Sequence, residues 1–225
     1  MAYRRTENVV RRLAARETAI LKAAGTVATN GGMGAVQIAP VAALAGIAAG
    51  TVYRYFPSKT DLVTELVADI AAREIGAMRE AGDKAPGPLS ALAAAIATFA
   101  ARALRERKLA WAVIAEPVDA EIDAVRLDFR RALSAEIAHR IRTAIAAGHL
   151  PDQDAGIAAP AIVGALMEGL IGPLAAPPTE DAAKKREAAQ TATLLALRAL
   201  GVVDARARGL VAQCVLPAAN GKPQT

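Results

Sequence analysis

The sequence predicts an all-α protein, and two observations carry that prediction. Hydrophobic residues make up 54% of the 225 residues while aromatic residues make up only 3%, so alanine dominates the apolar set. Alanine is the best helix former and lets neighbouring helices approach closely. Apolar and polar residues never alternate for long, as they would in half-buried strands. We therefore expect helices packed against one another, without a sheet.

The N-terminal quarter of the chain is predicted to form three helices. A long helix over residues 4–30 ends at Asn30-Gly31-Gly32, which tolerates left-handed backbone. A short helix over 37–45 carries Pro40 in its first turn, where the missing N–H breaks no helical bond. Gly46 separates it from a second short helix over 48–55. One long helix and two short ones thus precede residue 57.

The remaining chain is predicted to form a larger helical bundle. Ser58 and Asp61 form a capping-box pattern that opens a helix over 58–81, and the segment 82–88 is a clear break. Thr179 is a candidate N-cap for a later helix. The other predicted helices cover residues 89–108, 111–115, 116–147, 152–170, 179–200 and 204–215. This pattern divides the chain into an N-terminal domain (1–57), a helical domain (58–217) and a disordered tail (218–225).

The excess of positive charge lies in the first quarter of the chain. Residues 1–59 hold eight basic and two acidic side chains, whereas the rest holds 19 basic and 20 acidic ones. Such a segment favours a polyanionic partner, and nucleic acid is the first candidate. A basic tail that only improves solubility is the alternative.

Several other classes of protein are disfavoured. The single cysteine, Cys214, rules out an internal disulfide framework and suits the reducing cytoplasm. The uncharged stretch 23–53 contains six glycines and Pro40, so it does not read as a membrane span, and we see no signal peptide. No phosphate-binding loop or dinucleotide fingerprint is present, and we expect no catalytic residue, metal or cofactor. We interpret His139 and His149 as surface residues. Asp119, Glu121 and Asp123 are interpreted as acidic residues at the start of a helix, where they complement its dipole.

The two short helices around Gly46 have the layout of a helix-turn-helix. Gly46 can adopt positive φ at the turn, and a small core can form from Val41, Leu44, Ile47 and Val52. The second helix starts with the small residues Ala48, Ala49, Gly50 and Thr51, which allow its N-terminal end to approach DNA. Tyr53, Arg54 and Tyr55 follow with groups that reach phosphates or base edges.

Residues 45–59 (AGIAAGTVYRYFPSK) resemble the DNA-binding signature of TetR-type repressors, within a similarity in motif over about residues 10–70. Thr51 and Tyr53 match the family's Thr-x-Tyr among the DNA-binding residues, and the resemblance implies contacts to the DNA backbone from Tyr55 and Lys59. Gln37 and Ala48 depart from the threonine or serine that the family usually has at those two positions. Arg54 is the candidate for reading a guanine, and Ala49 for packing on a thymine methyl group. Phe56 is expected to be structural.

By the same resemblance, the second domain is expected to bind a small-molecule effector of unknown identity. Bundle interiors offer apolar pockets with few polar anchors. The candidate pocket residues are Phe99, Trp111, Phe129, Met167 and Glu168, although the three aromatic residues can equally be ordinary core. Glu168 lies in an otherwise apolar helix and needs a partner, which can be a ligand cation, Arg126 or Arg130, or solvent.

The resemblance also implies a homodimer, for which helices over about 154–170 and 179–200 are the predicted contact. Recognition helices about 34 Å apart would read a near-palindromic operator in double-stranded DNA. The expected function is a cytoplasmic, sequence-specific transcriptional repressor that an effector releases from its operator, with no membrane partner. A co-repressed or activating regulator of the same fold is the alternative, and a helical enzyme or interaction module is disfavoured.

Overall fold

The computed structural model describes residues 2–116 and 120–216, with side chains from residue 8. Over these ranges the chain forms ten α-helices, one 3-10 helix (Met33–Ala35) and no strand, which confirms the predicted all-α class. The helices are α1 (Ala2–Gly31), α2 (Ile38–Leu44), α3 (Ala49–Tyr53), α4 (Lys59–Asp83), α5 (Pro88–Arg105), α6 (Arg107–Ile114), α7 (Ala120–Ala146), α8 (Ala155–Leu170), α9 (Ala182–Ala199) and α10 (Asp204–Gln213). The predicted tail, 218–225, and Asp119 lie outside the described residues.

Helix starts follow from local capping chemistry. Ser58 caps α4, because its Oγ accepts a hydrogen bond from the Asp61 N–H at 3.0 Å, as predicted. The prediction of Thr179 as the cap of α9 is wrong. Asp181 caps that helix and accepts hydrogen bonds from the N–H groups of Ala183 and Lys184, at 2.8 and 3.4 Å. A carboxylate at this position also complements the positive end of the helix dipole.

In the N-terminal domain α1 packs against α2 and α4, and α3 packs against α2. Its core consists mainly of small and branched side chains, namely Ile20, Ala24, Ala28, Val36, Val41, Val52 and Phe56. One expectation for this core is wrong. Leu44 is 54% exposed, since it points away from the packed face of its helix. Ile47 packs at the edge of the core.

Helix α5 lies at the centre of the second domain and packs against α4, α7 and α9. Six of its alanines are buried, and their small side chains let three neighbouring helices approach. Helix α4 contacts both α1 and α5, so it connects the two domains as one continuous rod. None of the helices in the described ranges is both long and apolar enough to cross a bilayer.

Candidate DNA interface and effector cavity

Helix α3 is held as a rigid projection by the turn that precedes it. Gly46 has φ +66°, which a side chain would disfavour. The N–H groups of Gly46 and Ile47 donate to the carbonyls of Ala43 and Ala42 at 3.2 and 3.0 Å, and these bonds close the end of α2. Val52 is fully buried on the inner side of α3. The outer side of α3 is therefore fixed in orientation and free to meet a ligand.

Most of the predicted DNA-contacting residues lie on or beside this outer side. Tyr53 is 52% exposed and Arg54 is exposed, while Thr51 and Tyr55 are half-buried. Phe56 is only 4% exposed, in agreement with the structural role expected for it. These placements leave the hydroxyl and guanidinium groups of α3 available to DNA.

The two positions that depart from the family pattern lack a capping side chain. Ala48 is the N-cap of α3 and makes no side-chain bond. Gln37 is the N-cap of α2, but its amide turns back and donates to the Gly34 carbonyl at 3.2 Å. Lys59 opens α4 with a half-buried side chain, and Ala49 is half-buried in the first turn of α3. Contacts from Gln37 and Ala48 to phosphate therefore depend on their backbone rather than on a hydroxyl.

Helix α1 contributes a basic wall that the sequence analysis did not assign to the site. A groove of about 240 Å³ runs between the first half of α1 and α3, and we call it the basic groove. It is lined by Val9, Arg12, Leu13, Arg16, Thr51, Arg54 and Tyr55. Arg12 and Arg16 are exposed and four residues apart, so they share one face of the helix. The four-residue spacing of these arginines within the basic first quarter is the sequence signal that could have identified them.

Replacing Arg12 and Arg16 together with alanine is expected to weaken DNA binding uniformly across sequences. Each arginine that neutralises a phosphate releases condensed counterions, so the slope of log K against log salt should fall by about 2. Fluorescence anisotropy with duplex DNA at several salt concentrations measures this slope. Exposed Arg206 on α10, replaced with alanine, is the control. An unchanged slope would show that the basic groove does not face the phosphates.

A narrow cavity lies in the second domain beneath α6, and we call it the α6 cavity. Its free volume is about 40 Å³, room for only one or two water molecules. The lining is mainly apolar and comes from α4, α5, α6 and α7, including Ile70, Phe99, Ala103, Leu109, Val113, Ile114 and Phe129. A mainly apolar pocket with few polar groups is typical of small-molecule sites in helical bundles.

An ion pair forms one side of the α6 cavity. The Arg102 guanidinium donates to both carboxylate oxygens of Glu74, at 2.6 and 2.7 Å, and joins α5 to α4. The hydrogen bond to Glu74 is the main cause that raises the pKa of Arg102, against the opposing effect of burial. Both side chains are about one-fifth exposed. Arg102 is thus the cationic group that a ligand entering the cavity meets.

The structure brings together two of the five predicted pocket residues. Phe99 and Phe129 both line the α6 cavity. Trp111 instead lines a separate cleft, and Met167 packs at the edge of the core from α8. Glu168 is exposed, and its Oε1 accepts a hydrogen bond from the Leu174 N–H at 3.0 Å. Its partner is therefore the turn after α8 rather than an arginine, because this turn presents free backbone donors to it.

The end of α6 is fastened to both domains. Arg126 on α7 is 2% exposed, and its guanidinium donates to the carbonyls of Ala112 and Glu116. The Glu116 side chain extends the other way and accepts a hydrogen bond from the Met33 N–H at 2.8 Å. Burial lowers the pKa of Arg126, an effect that the negative charges of Glu116 and Asp123 oppose. A continuous series of contacts thus runs from α7 through α6 into the N-terminal domain.

Comparison with known proteins agrees with this geometry. The family model described as bacterial regulatory proteins, tetR family, matches residues 20–66, which hold α2, α3 and the adjoining parts of α1 and α4. Residues 20–66 are thus similar to the DNA-binding domain of tetR-family regulators. Arg12 and Arg16 lie before the matched residues, so the basic groove joins the tetR-family domain to a segment outside the family model.

The relative matched by sequence shares only part of the chain, and the solved structure that matches more of the chain has a lower sequence identity. The HTH-type transcriptional repressor KstR of Rhodococcus jostii (strain RHA1) is 42% identical over 72 residues, which is 32% of this chain and 32% of that protein. The chain thus matches about a third of that relative's length. A TetR-like transcriptional regulator from Rhodococcus sp. RHA1 has a TM-score of 0.62 at 26% identity, covering 83% of this chain and 96% of that chain.

A third neighbour shares the fold alone. FadR from Bacillus subtilis, solved in complex with stearoyl-CoA, has a TM-score of 0.68 at 19% identity. The similarity covers 83% of this chain and 98% of that chain. The tetR-family fold thus extends over the second domain, where sequence identity is low.

Proposed function

We propose that the protein is a cytoplasmic, dimeric, sequence-specific DNA-binding regulator, a repressor that a small-molecule effector releases from a near-palindromic operator. The observation that carries this proposal is the fixed outer side of α3, where exposed Tyr53 and Arg54 adjoin the basic groove. A helix that projects polar side chains beside a cationic wall suits the major groove and the flanking phosphates. The repressor name of the KstR relatives supports the same role.

The α6 cavity supports an effector that must open its own site. With about 40 Å³ free, the cavity admits no metabolite unless α6 or the Glu74–Arg102 pair moves. The apolar lining and the Arg102 guanidinium favour a mainly apolar molecule with an acidic or hydrogen-bond-accepting end that competes with Glu74 for Arg102. Because such a ligand binds the opened state better than the closed one, it shifts the population between them.

The DNA-binding proposal is tested by selecting the purified protein against a random duplex library. We expect an enriched near-palindrome, bound with steep salt dependence. Replacing Arg54 with alanine should weaken binding to that sequence by about tenfold, since a bidentate contact to guanine discriminates by about 1–3 kcal/mol. Arg206→Ala on α10 serves as the control and should leave affinity unchanged. Failure to enrich any sequence, with equal binding by both variants, would contradict the proposal.

An exposed groove between α8 and α9 supports the dimer. Small residues on α8, Ala165 and Gly169, face Leu195 and Ala199 of α9 across it. Leu195 is 60% exposed in the single chain, and Ile157 at the start of α8 is 70% exposed. Small residues let helices of a second copy approach closely, and the large apolar ones lose contact with water there.

Replacing Leu195 with glutamate is therefore expected to convert the dimer into a monomer. The charge would be buried without a partner in the two-fold interface, and the symmetry places it there twice. Analytical ultracentrifugation at micromolar concentration measures the change. Val203→Glu is the control, because Val203 is 73% exposed but lies outside the groove. A Leu195→Glu protein that stays dimeric would place the interface on another surface.

A further inference from the structure

A second, larger concavity adjoins the α6 cavity at the corner where α5 meets α6, and Arg105 and Glu106 line both. We call it the corner cleft. Its walls are the α5–α6 corner (104–108 and Trp111), the end of α8 with the following connection (169–171 and 176–180), and the start of α9. Its volume is about 840 Å³, within the range of pockets that hold small molecules. Thr29 of α1 also reaches its wall, so the corner cleft touches both domains.

The corner cleft carries an excess of positive charge. It is lined by two carboxylates and five cations, which are Arg105, Arg107, Lys108, Lys184 and Lys185. Both carboxylates are already engaged. Glu180 pairs with Lys185 at 2.9 Å, and Glu106 with Arg105 at 3.4 Å. The other three cations have no carboxylate partner within the described ranges.

The three remaining cations belong to two helices. Arg107 and Lys108 open α6, and Lys184 lies in the first turn of α9. The Arg107 guanidinium also donates to the Ala176 carbonyl, which fixes it at the wall. Cations that meet across a concave surface raise the local potential for an anion with several charges.

The corner cleft also contains Trp111, the single tryptophan of the chain. Its indole is half-buried, so one part packs on the protein and the rest lines the concavity. An aromatic face beside cations is the combination that binds a nucleotide, because the base stacks on the ring while the phosphates meet the positive charges.

We propose that the corner cleft binds a nucleotide that carries two or more phosphates, either free or as part of a larger cofactor. Trp111 stacks on the base, and Arg107, Lys108 and Lys184 hold the phosphates. The residues that hold the nucleotide do not line the apolar α6 cavity, and the site does not depend on the proposed operator binding. The walls of the corner cleft include Lys184 and Ala188, which also line the α8–α9 groove, so an occupied cleft lies beside the proposed dimer contact.

Intrinsic fluorescence tests the proposal, since Trp111 is the only tryptophan and therefore reports on this cleft alone. The full-length protein is titrated with ADP, coenzyme A, adenosine and inorganic pyrophosphate. We expect saturable quenching by ADP and by coenzyme A, each binding more tightly than either fragment. Replacing Lys108 and Lys184 together with alanine should raise the Kd at least about tenfold, because two charged hydrogen bonds are lost.

The control variant is Lys84→Ala, which removes an exposed lysine outside the cleft and should leave the Kd unchanged. Calorimetry of Trp111→Phe gives a readout that does not need the indole and should show weaker binding. Pyrophosphate binding as tightly as ADP would overturn the role of Trp111. The absence of saturable quenching, or an equal Kd in the double lysine variant, would overturn the site.

Discussion

Replacing Arg140 with alanine is expected to lower the free energy of unfolding by about 3–5 kcal/mol, because it leaves a buried carboxylate without its main partner. Arg140 on α7 donates to Glu136 at 2.8 Å and to Asp83, at the end of α4, at 2.7 Å. The Glu136 side chain is 5% exposed and receives one further bond, from Arg79 at 3.0 Å. Burial lowers the pKa of Arg140, but the bonds to Asp83 and Glu136 outweigh it and raise the pKa overall.

Chemical denaturation measures the loss, and two further variants identify its cause. Lys84→Ala removes an exposed pair with Glu80 on the same helix and should cost less than about 1 kcal/mol. Replacing Glu136 and Arg140 together with leucine and methionine should recover most of the stability, because no buried charge then remains unpaired. If the double variant were as unstable as Arg140→Ala, lost packing rather than the orphaned charge would be responsible.

The helices of this chain were predictable because their signals are local. Alanine content, the Ser58 capping pattern and the glycine at the α2–α3 turn all act within a few residues of the element they define. The first residue of a helix was harder to predict where two residues could act as its N-cap, as with Thr179 and Asp181 before α9. The exposure of Leu44 could not be foreseen, since it depends on the angle at which α2 meets α1 and α4.

The residues that we propose to face DNA could be chosen from the sequence for the same reason, because one short segment carries most of them. The residues of the proposed effector cavity were harder to predict from the sequence. Phe99 and Phe129 lie thirty residues apart in sequence and meet only through the packing of α5 against α7. Periodicity cannot distinguish a tryptophan in a bundle core from one in a surface cleft, so the sequence did not show that Trp111 lines a different cavity from Phe99 and Phe129. The contact of Glu116 with Met33 crosses 83 residues, and no local pattern encodes it.

We expect that Glu116 couples the two domains and that replacing it with alanine weakens this coupling. Its carboxylate binds the Met33 N–H and packs against Gly32, where a Cβ would lie 2.7 Å from Oε1. Gly32 has φ 75° and ψ 180°, a conformation almost restricted to glycine. This backbone leads directly into α2, so a shift of Glu116 moves the start of the helix-turn-helix.

The first consequence of Glu116→Ala is measurable without an effector. The Met33 amide loses a charged acceptor, so its hydrogen exchange should accelerate about tenfold or more. Glu116→Gln is the matched variant, since its amide oxygen still accepts the bond and should preserve most of the protection. Equal exchange at Met33 in all three proteins would mean that the carboxylate does not hold this turn.

The second consequence uses operator DNA as the ligand, because coupling between two sites is reciprocal. If an effector that opens the α6 cavity loosens DNA binding, then bound DNA must disfavour opening of that cavity. Exchange of the α6 amides should therefore slow when DNA binds the unmodified protein, within the range of about 5–150-fold that typical coupling allows. In Glu116→Ala this response should largely disappear while α3 still binds DNA. If Glu116→Ala showed the same slowing of exchange as the unmodified protein, the coupling would instead pass through α4, which also contacts both domains.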